Sequence, residues 1–199
     1  GFVQGCIGFG LGMVTLVPLL LLMDQRTAVP VLMMLSMLNT APIALSNRDK
    51  IRFGIVAPLI GGAVFGIPLG LAANTSLDAA EFRTLVGIVL IGFAGLLASG
   101  RRFALPRPRL ASFPIGFLSG IMNGSMSMGG PPVVLFFSNQ EVPKETFRAN
   151  TVTYFSCMNI VSISLAASQG LIANDVLIRT AFFAPFLLAG TYAGSMTSR

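Results

Sequence analysis

Charged residues along this chain fall in short clusters, and the stretches between them carry none: 27–47, 53–77, 84–100, 110–140, 149–174 and 180–198. Each is about as long as the ~20 apolar residues that carry a helix across a hydrocarbon core. The runs are continuous rather than alternating over about ten residues, so they predict membrane helices and not barrel strands. Gly62, Gly66 and Gly70 recur every four residues, as do Gly190 and Gly194. That spacing predicts a flat strip on one helix face against which a neighbouring backbone packs closely.

The stretch from Leu110 to Gln140 does not fit a plain helix. Its roughly 30 residues would span about 45 Å if helical throughout, against a ~30 Å core. Its middle reads Asn123-Gly124-Ser125-Met126-Ser127-Met128-Gly129-Gly130-Pro131-Pro132. Glycine is a poor helix former, and two successive prolines remove two backbone donors. Two half-helices meeting at an unwound centre are expected. Gly5, Gly8, Gly10, Gly12 and Pro18 predict the same interruption at the start of the chain.

The two interruptions belong to an internal repeat. GFVQG at 1–5 returns as GFLSG at 116–120, Asn39 as Asn159, and Ala57-Pro58 as Ala184-Pro185, in the same order. Two homologous units are expected, 1–110 and 111–199, within one transmembrane domain. Each has about four membrane segments and opens with a Gly/Pro-broken helix. The repeat also predicts apolar residues ahead of Gly1 and a final span beyond Arg199, so that this chain holds seven of about eight segments.

Composition agrees: 54% of the residues are apolar and only 10% are charged, where a soluble domain has about a quarter. The net charge of +6 lies in loops, with no basic face or aromatic platform for a nucleic acid. If each broken segment re-enters as a hairpin, ten of the 13 basic residues share one side of the membrane. If each crosses once, the split is eight against five. Positive-inside bias favours hairpins, which also make the two units inverted repeats. The chain has no His, and its two cysteines, Cys6 and Cys157, stand apart in apolar stretches. No cofactor, metal site or disulfide framework is expected, and the usual enzyme chemistries lack their residues.

Unwound backbone at membrane depth is tolerated where it is buried in protein or lines a wet cavity. Paired interruptions in two halves mark a transporter's substrate site, and amides at a half-helix N-terminus suit an anion. The backbone of Gly8, Gly10, Gly12, Ser127, Gly129 and Gly130 is therefore the candidate anion cradle. Gln4, Asn39, Asn123 and Asn159 are polar side chains inside spans that complete the candidate shell, and Arg148 could attract the anion at a cavity mouth. Each could equally serve helix packing, and Arg148 could snorkel to the interface.

These residues resemble the sulfite exporter TauE/SafE family, also called the toluene-sulfonate uptake permease family. The resemblance rests on Gly1, Phe2, Gly5, Gly8, Gly10, Gly12 and Pro18, and on Gly129, Gly130, Pro131, Pro132 and Val133. Lys144, Glu145, Phe147, Arg148 and Ala149 follow, with Asn159 beyond. The chain departs from the family pattern at Asn123 and Ser127, where glycine is expected. The resemblance implies a permease of the plasma (inner) membrane for a small sulfur-containing or organic anion such as sulfite, a sulfonate or thiosulfate. Proton coupling and homo-oligomerisation are compatible with it. An uncoupled anion channel and a structural membrane subunit are the competing readings.

Overall fold

The computed structural model describes residues 10–46, 51–99, 108–140 and 143–197, and these residues are all helix and short connections. The helices are α1 (Leu11–Leu22), α2 (Gln25–Ser46), α3 (Phe53–Ser76), α4 (Ala79–Ala98), α5 (Pro108–Met126), α6 (Gly130–Ser138), α7 (Lys144–Ser168) and α8 (Asn174–Thr197). Four helical stretches are long and apolar enough to cross a bilayer: Phe53–Ser76, Ala79–Leu96, Glu145–Ser168 and Asn174–Gly194. With Phe65, Ile88, Ile91, Phe182 and Phe186 exposed on their outer faces, the chain is an integral, multi-pass membrane protein.

The helix starts lie up to about one and a half turns ahead of the charge-free stretches. α7 begins at Lys144 rather than 149 and α8 at Asn174 rather than 180, because Glu145, Arg148, Asp175 and Arg179 fall within their first two turns. Charges at interface depth are tolerated inside a helix end, and Asp or Glu there also complements the helix dipole. α4 starts in the same way: Asp78 Oδ1 accepts from the amides of Ala80 and Glu81 while Glu81 Oε2 accepts from the Asp78 amide, a reciprocal capping box.

α3 and α5 form the most extensive helix pair, and glycine makes it possible. A Cβ on Gly62 would overlap the Phe113 carbonyl, one on Gly66 the Phe117 carbonyl, and one on Gly70 the Ile121 carbonyl. From the other side, Gly116, Gly120 and Gly124 face the carbonyls of Leu59, Ala63 and Ile67. Two small-residue strips thus meet, where the sequence pattern pointed to one of them. Partner numbers rise together along both helices, so α3 and α5 run parallel. Gly190 and Gly194 are half-buried and buried on α8.

Parallel pairing fixes the path of the broken segment. α5 enters beside the start of α3, where Gly54 faces Arg109. It runs inward for 19 residues and turns over Ser127–Gly129. Gly129 then lies back beside Ser119, whose hydroxyl donates to its carbonyl at 2.5 Å. α6 therefore returns toward the end from which α5 came, and Phe137 near its close packs edge-on to Phe147 at the start of α7. The segment is a re-entrant hairpin.

α1 leaves in the opposite direction. Its last turn meets Arg83 at the head of α4, where Arg83 donates to the Leu20 carbonyl. In the neighbouring connection Gln25 and Arg26 donate to the carbonyls of Leu77 and Thr75. α1 and α6 are thus two short helices of opposite sense. Arg52, Arg109 and Arg148 stand at the end reached by α6, and Arg26, Arg83 and Arg179 at the end reached by α1. Lys144, which opens α7, makes four at the first end against three at the second, so the first is the basic end; Arg48, Lys50, Arg101, Arg102, Arg107 and Arg199 lie outside the described residues.

α2 fills the centre, packed by α1, α7 and α8, with Val29, Val31, Leu32 and Met33 fully buried. It carries Gln25, Ser36, Asn39 and Thr40, which explains why it is the least lipid-like of the long helices that precede the hairpin.

Candidate functional site

The interruption in the hairpin is shorter than the glycine and proline pattern suggests. Asn123, Gly124, Ser125 and Met126 remain helical, and Gly130, Pro131 and Pro132 already belong to α6. Only Ser127, Met128 and Gly129 are unwound. Ser127 stands at φ 53, in the left-handed region. The Ser127 amide bonds the Asn123 carbonyl at 2.8 Å, the single-bond left-handed way of ending a helix, and the Met128 amide reaches the Met122 carbonyl at 3.2 Å. Prolines sit in the first turn of α6 because that turn needs no intrahelical donors there. Near the start of the chain Gly10 is left-handed (φ 97), α1 starts at Leu11, and Pro18 sits within it without ending it. Gln4 and Gly8 lie outside the described residues.

A residue with a Cβ costs roughly 1 kcal/mol or more at a left-handed position that glycine occupies freely. Ser127→Gly should therefore raise the stability of the detergent-solubilised protein by about 1 kcal/mol, read from its thermal unfolding midpoint. An unchanged or lowered midpoint would show that the Ser127 hydroxyl contributes more than its backbone costs.

The first turns of α1 and α6 line one cavity, together with Ser36, Asn123, Ser127, Met128, Phe155 and Asn159. Its volume is about 30 Å³, on a scale where one water needs roughly 10–15 Å³. Gly12 is essential to its shape, because a Cβ there would overlap the Ser127 carbonyl. Asn123 Nδ2 donates to Ser162 Oγ at 2.9 Å, and Asn159 Nδ2 donates to Ser36 Oγ at 3.0 Å. Each carboxamide keeps one further N–H. Both asparagines are buried.

No charged side chain lines the cavity, so the helix ends around it supply its polarity. The first-turn amides of a helix have no intrahelical acceptor and carry the positive end of its dipole. α1 contributes the amides of Leu11, Gly12 and Met13. α6 contributes fewer than the pattern implies, since Pro131 and Pro132 have no N–H and only Gly129 and Gly130 remain as donors there. The opposing C-terminus of α5 is quenched: the carbonyls of Met122, Asn123 and Ser125 already accept from the Met128 amide, the Ser127 amide and Asn74 Nδ2.

Of the residues singled out from the sequence, Gly10, Gly12, Asn123, Ser127, Gly129, Gly130 and Asn159 all line this cavity. Asn39 does not. It is buried on α2, with no partner for its Nδ2 among the described residues. Arg148 is not at the cavity either; it is exposed in the second turn of α7, two turns from Phe155. Ser36 was missed, although it sits one turn before Asn39. Ser119 was missed too, although it stands in GFLSG where GFVQG has Gln4. Cys157 is half-buried and lies outside the lining.

The profile described as sulfite exporter TauE/SafE matches residues 1–199, the whole chain. The chain belongs to the sulfite exporter TauE/SafE family. It is thus a multi-pass membrane protein of a family that transports sulfur-containing anions. Neither the curated proteins nor the solved structures give a match. The left-handed backbone at Ser127 is one that glycine would occupy more freely.

Proposed function

We propose that this TauE/SafE protein is a secondary transporter of the plasma membrane that binds a small sulfur oxyanion of the sulfite type in the cavity between α1 and α6. One observation carries the reading: the starts of two half-helices of opposite sense meet two buried asparagines around a single small space. Neutral amide donors hold an anion without a permanent countercharge, so it can leave again. The size favours an anion of a few heavy atoms over an aryl sulfonate. The two half-helices lead to opposite ends of the bundle, so tilting one unit against the other would expose the same site alternately.

Asn159→Asp tests the site with little change of shape. It removes two N–H donors and sets a carboxylate beside the anion. The KM for sulfite in proteoliposomes should rise by more than about tenfold above pH 7, equivalent to roughly 1.4 kcal/mol. An unaltered KM, with protein correctly inserted, removes Asn159 from the site. Flux that saturates and exchanges internal for external anion separates this reading from a channel.

A further inference from the structure

α7 carries a second group of polar residues toward the basic end, between the cavity and the loop that holds Arg52. Asn150, Thr151 and Tyr154 share one face of the helix, at i, i+1 and i+4, and are 0%, 2% and 0% exposed. Asn150 Oδ1 accepts from the Arg52 amide at 2.8 Å at the head of α3. No described protein group satisfies Asn150 Nδ2, Thr151 Oγ1 or the Tyr154 hydroxyl. The Tyr154 hydroxyl lies beside Ser119 without making a bond of good geometry, and Ser119 gives its own proton to the Gly129 carbonyl at the cavity wall. From Asn150 to Asn159 is nine residues, about 13 Å along the helix. That is close to half a ~30 Å hydrocarbon core.

Buried polar side chains nearly always find partners, and three orphans on one helix face need a reason. Packing offers none, because Val, Leu and Phe would fill the same space without the desolvation cost. We infer that Asn150, Thr151 and Tyr154 form the closed inner half of the permeation path, a row that water and the anion wet when the basic end opens. The row rests on the transport reading for its purpose, and its wetting can be measured without any substrate. Tyr154 and Ser119 stand where the row meets Gly129, so they are the positioning pair at the gate. The anion passing along the row meets hydroxyl and amide donors and, from Asn150 outward, the Arg52 end of the bundle.

The experiment uses the whole protein in sealed, oriented vesicles, with Cys6 and Cys157 replaced by Ser and Thr151→Cys as the single thiol. A membrane-impermeant, charged maleimide is applied to one face at a time. Only a thiolate reacts, and a thiolate requires water. Thr151→Cys should react from the basic face alone, at least about tenfold faster than Ile160→Cys, which is 51% exposed on an apolar outer face. Labelling no faster than Ile160→Cys, from protein that labels fully once unfolded, overturns the inference. Equal labelling from both faces overturns it as well.

Flux distinguishes this inference from the transport proposal. Labelled Thr151→Cys without anion flux in the parent protein would keep the wet row and discard the transport reading. Saturable flux with an unreactive Thr151→Cys would keep transport and place the path elsewhere. Tyr154→Phe gives an independent readout. Loss of an unpartnered hydroxyl from a static core leaves flux unchanged, whereas loss of a gate contact should lower kcat by about tenfold with KM preserved.

Discussion

Gly129→Leu should abolish anion flux while the protein still inserts and keeps its helices. Gly129 has ordinary backbone angles (φ −67, ψ −2), so conformational freedom is not the reason. Space is. A Cβ there would stand 2.7 Å from Met158 Cε, 2.8 Å from the Ser119 carbonyl oxygen and 2.9 Å from Ser119 Oγ. The methionine tip can move; the α5 backbone cannot move without pulling on the glycine strip that locks α5 to α3. A leucine must therefore displace the start of α6, which carries its amides away from the cavity. Overpacking of this kind costs about 3 kcal/mol, which corresponds to a loss of flux of roughly a hundredfold or more. Gly129→Ala should show a smaller loss in the same direction. Normal flux in Gly129→Leu, measured in proteoliposomes with equal protein content, would dissociate α6 from the site.

Gly66→Leu has the larger effect on folding. In a bilayer the helices gain little from leaving lipid, so association rests on close packing of small residues. Gly66 is the middle of three glycines in α3, and a Cβ on it would overlap the Phe117 carbonyl and crowd the Ile121 amide. Phe117 and Ile121 flank Gly120 on α5, so the lost approach disrupts the strip on both helices at once. The destabilisation should exceed about 3 kcal/mol, enough to deplete folded protein in detergent. Gly61→Leu is the matched comparison, because nothing lies within 4 Å of a Cβ built there. Its unfolding midpoint should match that of the parent protein. Equal behaviour of the two variants would mean that the α3–α5 pairing is not what holds the bundle.

Much of the architecture was legible in the sequence because lipid imposes a simple code. Charge-free runs located every long helix, and Gly-Gly-Pro-Pro located the hairpin turn. The basic residues chose the re-entrant path over the crossing one, in agreement with the parallel pairing of α5 on α3. Helix starts were less legible, since Glu145, Arg148 and Asp175 sit inside the first two turns rather than before them. The extent of the break was overestimated for a related reason. Gly124 looks like a helix breaker but is a contact residue facing Ile67, and prolines 131 and 132 open a helix rather than interrupt one.

At the site, glycine and asparagine were legible as residue types that lipid discourages, and Asn123, Asn159 and Gly129 line one cavity. Asn39 illustrates the limit. Its position matches Asn159 in sequence, but it lies away from the cavity, while Ser36, one turn earlier, bonds Asn159. A repeat gives equivalent positions along the chain; it does not give the rotation of each helix about its axis. Ser36 and Ser162 were invisible because serine inside a membrane helix usually bonds its own backbone, as Ser125 and Ser156 do here. Only the neighbouring helix distinguishes the two uses.

Uptake of labelled sulfite, thiosulfate and a short alkyl sulfonate into proteoliposomes, with and without an imposed pH gradient, tests the central claim most directly. The account predicts saturable uptake in which the anions compete for one site, strongest for the smallest, and lost in Gly129→Leu. A response to the gradient would identify proton coupling. Uptake that rises linearly with concentration, or no flux of any of the three from folded protein, would contradict an anion transporter built around this cavity.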